Sequence, residues 1–105
     1  MTKDEILNLG LQVFYVSPDL IKAGSRICST ACPIALAIRS GVNAHTVSVC
    51  PEYIRLRSKD GYSLFYNNPF SDWMTSFDKG EEVEAFYFKL NLANTTNLLA
   101  GLAYG

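Results

Sequence analysis

Hydrophobic and polar positions along this chain repeat with two periods, and each change of period marks an element. Residues 3–9 follow Thr2, which suits a helix N-cap, and Glu5 sits three positions on, where a capping-box partner belongs. Gly10 supplies the stop. Leu11–Val16 reads LQVFYV, rich in β-branched and aromatic side chains, and predicts a strand. Ser17-Pro18 then joins an N-cap to a residue with no N–H to leave unpaired in the first turn. A short helix is expected over Pro18–Ala23, ending at Gly24. After a loop, Pro33 opens a second such helix, Pro33–Ser40, closed by Gly41. Its IALAI stretch is apolar on every side, the mark of a buried helix.

The second half has mostly the shorter period. Thr46–Cys50 alternates Val47 and Val49 with polar neighbours, and Tyr53–Arg57 puts Ile54 and Leu56 opposite Arg55 and Arg57. Lys59-Asp60-Gly61 reads as a turn, because Asp-Gly tolerates positive φ. Tyr62–Tyr66 returns from it, completing a hairpin. Asn68-Pro69 repeats the cap-then-proline signal. Phe70, Trp73, Met74 and Phe77 then recur at helical spacing, with Gly80 as the end. Val83–Leu92 is the last expected strand, with Phe86, Phe88, Leu90 and Leu92 on one face. The tail 93–105 has no clear period, but Leu98, Leu99 and Leu102 make it apolar enough to dock on its own domain or on a partner.

Strands and helices mix here without strict βαβ alternation. The expected fold is α+β: a small antiparallel or mixed sheet of about five strands with short helices packed on one face. Its 105 residues suit one domain, with the core over about 11–92. Hydrophobic residues make up 49% of the chain, enough to close an interior at this length.

Charge and composition remove several function classes. Nine Lys plus Arg stand against ten Asp plus Glu, so the dense positive footprint needed for a phosphate backbone is missing. Nucleic acid is therefore a disfavoured partner. No apolar run approaches the ~20 residues that span a bilayer. The opening MTKDEILNLG lacks the apolar core of a signal peptide. No membrane association and a cytoplasmic location are expected. Three cysteines, an odd number in a reducing setting, do not suggest a disulfide framework.

The sharpest chemical pattern is Cys28, Cys32, His45 and Cys50, spaced C-x3-C-x12-H-x4-C. Zinc takes four tetrahedral sulfur or nitrogen ligands, and this stretch offers four candidates. The order is reversed relative to a zinc finger, since the Cys pair precedes a helix while His45 and Cys50 flank a strand. Buried or loop thiols are the plainer reading. No cofactor is expected, with zinc as the alternative. Cys32, at a helix start, sits where the dipole favours a thiolate. The Cys-x3-Cys spacing is not the Cys-x2-Cys of thioredoxin-like enzymes.

No catalytic set emerges beside it. His45 is the only histidine, and an odd offset along a strand turns it away from Cys50. Glu81, Glu82 and Glu84 read as a solvated face. There is no phosphate-binding glycine loop, nucleophile elbow or HExxH. The chain is expected not to be an enzyme. By strand parity Tyr53, Arg55, Arg57, Tyr87 and Lys89 lie opposite the core. If their strands are neighbours, they form one basic and aromatic face. Such a face suits a protein partner, or single-stranded nucleic acid by base stacking. Ordinary cross-strand pairs explain the same residues.

Three segments, VSPDLIKAG, CSTACPIALAIRSG and SFDKGEEVEAFYFKL, resemble parts of small uncharacterised proteins of bacteriophages and bacteria. Those proteins carry a Cys-x(2-3)-Cys-Pro-[Ile/Val]-Ala-Leu-Ala segment. The resemblance runs from Val16 to Leu92 and implies a phage or host setting, with no known activity attached. The combined expectation is a small non-enzymatic interaction module, phage-encoded, that binds a host or virion protein or itself. A zinc-stabilised domain and a weak single-strand binder are the alternatives.

Overall fold

A computed structural model describes residues 1–95 and shows an α+β fold. Nine elements follow in the order α1 (Lys3–Asn8), β1 (Leu11–Val16), α2 (Pro18–Ala23), α3 (Pro33–Gly41), β2 (Thr46–Val49), β3 (Tyr53–Arg57), β4 (Ser63–Asn67), α4 (Ser71–Asp78) and β5 (Phe86–Asn91). The expectation for the tail leucines falls on residues outside those described.

Local chemistry sets most of the boundaries. Thr2 accepts the Glu5 N–H while Glu5 accepts the Thr2 N–H, so the capping box forms in full. Ser17 accepts the Leu20 N–H at 3.1 Å ahead of Pro18. Pro33 starts α3 behind Cys32, whose sulfur takes the Ala35 N–H at 3.5 Å. Ile34, Ala35, Ala37 and Ile38 of α3 are buried, as an all-round apolar helix requires.

Several boundaries move by one residue from the sequence expectation, and two further shifts have a visible physical cause. Asn68 Oδ1 accepts the Phe70 N–H at 2.8 Å, closing an Asx turn instead of capping a helix, so α4 begins only at Ser71. The last strand begins at Phe86 rather than Val83, because β1 ends opposite it: Val16 pairs Phe86.

The five strands are all antiparallel, but they form two sheets rather than one. β1 and β5, from opposite ends of the described chain, make a two-stranded ribbon. β2, β3 and β4 make a three-stranded meander. Ser58 and Tyr62 close the β3–β4 hairpin by backbone and hydroxyl bonds, and Gly61 takes φ 92° in its turn.

α3 contacts both β1 and β2 and so bridges the two sheets. One cluster of buried side chains joins Phe14 and Val16 of β1, Ile34 and Ile38 of α3, Ile54 and Leu56 of β3, and Phe88 of β5. Phe14 stacks on Phe88 with centroids 5.2 Å apart, and Phe70 tilts onto Phe86 and Phe88. Each such aromatic pair adds about 0.5–1.5 kcal/mol beyond the area it buries.

Candidate functional site

Two places on the molecule carry more chemistry than the fold requires. One is the cavity around the cysteines, and the other is the outer face of the β1–β5 ribbon.

The cavity forms where the loop after α2, the end of β2 and the end of α4 meet. The loop folds on itself: Ser25 N–H donates to Ala31 O at 2.8 Å, and Cys32 N–H donates to Cys28 O at 3.0 Å. Two further bonds fix it to its neighbours. Val49 N–H donates to Ser29 O at 2.8 Å, and Ile27 N–H donates to Asp78 Oδ1 at 2.9 Å. Ile27 sits at φ 52°, a conformation that strains a β-branched residue, and its side chain is 83% exposed.

The resulting cavity measures about 340 Å³. Cys28, Cys32 and Cys50 all line it, together with Ile27, Met74 and Asp78. All three cysteines are free. Asn68 Nδ2 bonds both Cys50 O and Met74 Sδ, tying the β2–β3 turn to α4.

The thiols differ in reactivity. Hydrogen bonding from the Thr30 hydroxyl, 3.7 Å from the sulfur, and from nearby backbone N–H groups lowers the half-exposed Cys28 thiol below its usual range. Burial raises Cys32 despite the helix N-terminus, with the Asp78 and Cys28 charges adding to it. The expectation of a depressed Cys32 thiol is thus corrected: desolvation outweighs the dipole.

The Cys28, Cys32, His45 and Cys50 tetrad is not assembled. His45 precedes β2 and Cys50 follows it, so the whole strand separates them, about 17 Å at the usual rise. His45 is exposed, donates its backbone N–H to Arg57 O, and is absent from the cavity lining. Among the described residues no group of three or more His, Cys, Asp or Glu side chains is placed to hold a metal ion.

The basic and aromatic set is also divided. Tyr53, Arg55 and Arg57 lie on β3, while Tyr87 and Lys89 lie on β5 in the other sheet. The condition that their strands be neighbours is not met. Within β3, Arg55 Nε donates to Ser63 Oγ at 3.2 Å, and Tyr53 meets the Phe65 ring edge-on at 5.2 Å. Both side chains are thus engaged across the strand pair.

Tyr87 and Lys89 belong instead to a face the sequence reading did not single out. In the ribbon register Leu11 lies opposite Asn91, Val13 opposite Lys89 and Tyr15 opposite Tyr87. All six point away from the core and are exposed. Leu11 is 60% exposed, Val13 59%, Tyr15 41% and Tyr87 70%. Tyr15 and Tyr87 stack with centroids 4.2 Å apart. The signal was present in LQVFYV, where both parities are apolar, although a strand in a two-layer fold buries only one.

Comparison with known proteins finds no matching family model, no matching curated protein and no matching solved structure.

Proposed function

We propose that this protein is a small non-enzymatic interaction module that binds a second copy of itself through the outer face of the β1–β5 ribbon. The carrying observation is the continuous exposed row of Leu11, Val13, Tyr15 and Tyr87. Contiguous apolar surface of this kind marks contact sites, whereas scattered exposed residues do not.

Three features favour a copy of the same chain as the occupant. The face can be self-complementary: a two-fold axis through it would set Lys89 of each chain over the stacked tyrosines of the other. Lys89 is the only charged residue among the six, so no carboxylate on that face competes with the tyrosine rings for its ammonium. A formal net charge of −1 leaves little repulsion between copies. A two-stranded sheet also gains from cover on its second face.

A host cytoplasm is the setting we infer for such a dimer, a reading that rests on the resemblance to phage and bacterial proteins and that three free thiols suit. No helix among the described residues is long and apolar enough to cross a membrane.

Sedimentation velocity across a dilution series tests the proposal. The native chain is expected to shift from monomer to dimer with concentration. Val13→Glu and Tyr87→Glu, both on exposed positions, are expected to remain folded monomers by circular dichroism. A native chain that stays monomeric throughout, or a dimer untouched by both substitutions, overturns it.

A further inference from the structure

The cavity beside Cys28 has a chemistry of its own, and none of its lining residues lies on β1 or β5. Cys28 is half-exposed and Cys32 is buried. The Cys32 N–H to Cys28 O bond closes one α-turn between them. Four residues in that turn rise about 6 Å, which lies within the α-carbon separation a disulfide bridges. Cys50 belongs to the β2–β3 turn and has no such tie to Cys28.

We propose that this cavity is a thiol–disulfide exchange site for a small aliphatic disulfide bearing cationic amines, with Cys28 as the attacking sulfur and Cys32 as the resolving one. Size and charge select that ligand. The cavity, about 340 Å³, lies within the range of small-molecule sites and exceeds what a peroxide needs. Asp78 is the only charged residue lining it. Its carboxylate is held by the Ile27 N–H, so it draws an ammonium and repels a second carboxylate. The Ile27, Val49 and Pro51 side chains supply apolar contact for the methylene chain.

The chemistry closes in two exchanges. The Cys28 thiolate attacks one sulfur of the ligand; the ligand S–S bond breaks, a mixed disulfide forms, and one aminothiolate leaves and takes up a proton. The Cys32 thiol then gives its proton to solvent and attacks the Cys28 sulfur. The Cys28–Cys32 bond forms, the mixed bond breaks, and the second aminothiol leaves. Two protein thiols are oxidised by two electrons and one disulfide is reduced to two thiols.

Peptide mass spectrometry after timed exposure of the whole chain to three probes tests this: cystamine, bis(2-hydroxyethyl) disulfide and dithiodiglycolate. Cys28 is expected to react first, several-fold faster with the amine probe than with the hydroxyl probe, and slowest with the carboxylate. The Cys28 adduct is expected to give way to a Cys28–Cys32 bond, and Cys32→Ser to trap the adduct. Asp78→Asn should lower the amine-to-carboxylate rate ratio toward the ratio a small free thiol shows with the same probes, while Asp78→Glu, which keeps the charge, should preserve it. Cys50 reacting as fast as Cys28 overturns the proposal. So does an unchanged amine-to-carboxylate ratio in Asp78→Asn, or an adduct that persists on Cys28 with Cys32 intact.

Discussion

The Tyr66 hydroxyl donates a 2.8 Å hydrogen bond to the Leu92 carbonyl, and through it the three-stranded sheet holds the chain where it leaves the ribbon. Tyr66 is 1% exposed and Leu92 is 0% exposed, so neither group has water as a substitute partner. Tyr66→Phe leaves the carbonyl buried and unpaired. The expected cost is about 1–3 kcal/mol, read as a lower urea midpoint with an unchanged slope.

Alkaline pH probes the same group. Burial raises the Tyr66 phenol above its ordinary value. The folded chain therefore keeps this proton at a pH where the unfolded chain has lost it. The stabilisation is complete below about pH 10, the ordinary phenol value, and is lost as pH rises beyond it. Urea midpoints across that range should fall more steeply in the native chain than in Tyr66→Phe. Parallel falls would show that Tyr66 contributes none of the slope.

Gly24 tests the packing that positions the cysteine loop. A Cβ there would lie 2.6 Å from Cδ and Cγ of Pro33 and 2.9 Å from its backbone nitrogen. Pro33 is buried at the first turn of α3, so no flexible side chain is free to move aside. Gly24→Ala is expected to destabilise by about 1–3 kcal/mol in thermal melts, as overpacking does. Ser25→Ala, one residue on and exposed, should stay within about 0.5 kcal/mol of the native chain.

What the sequence disclosed was local. The Thr2–Glu5 capping box, Ser17 before Pro18 and Pro33 behind Cys32 each act within one turn of chain, and each appears where those residues place it. Ile54 and Leu56 turn inward and Arg57 outward, as strand parity dictates. The features that escaped depend on distant partners. β5 starts at Phe86 because Val16 is the last residue of β1 able to pair with it. The separation of β3 from β5 follows from the pairing of β1 with β5, which no local period encodes. The cysteines show both sides of this limit. Their spacing suggested a shared place, and all three do line one cavity, but His45 is carried away by the length of β2. The Cys32 thiol obeys burial, a property of the whole fold, rather than its place on the helix.

Association through the ribbon is tested most directly by cross-linking an equal mixture of ordinary and heavy-isotope-labelled chains with an amine-reactive reagent. If two chains meet face to face on β1 and β5, light–heavy links join Lys89 of one to Lys89 of the other, and Tyr87→Glu abolishes them. Links confined to Lys3, Lys22, Lys59 and Lys79, or no light–heavy links at all, would contradict a shared ribbon interface.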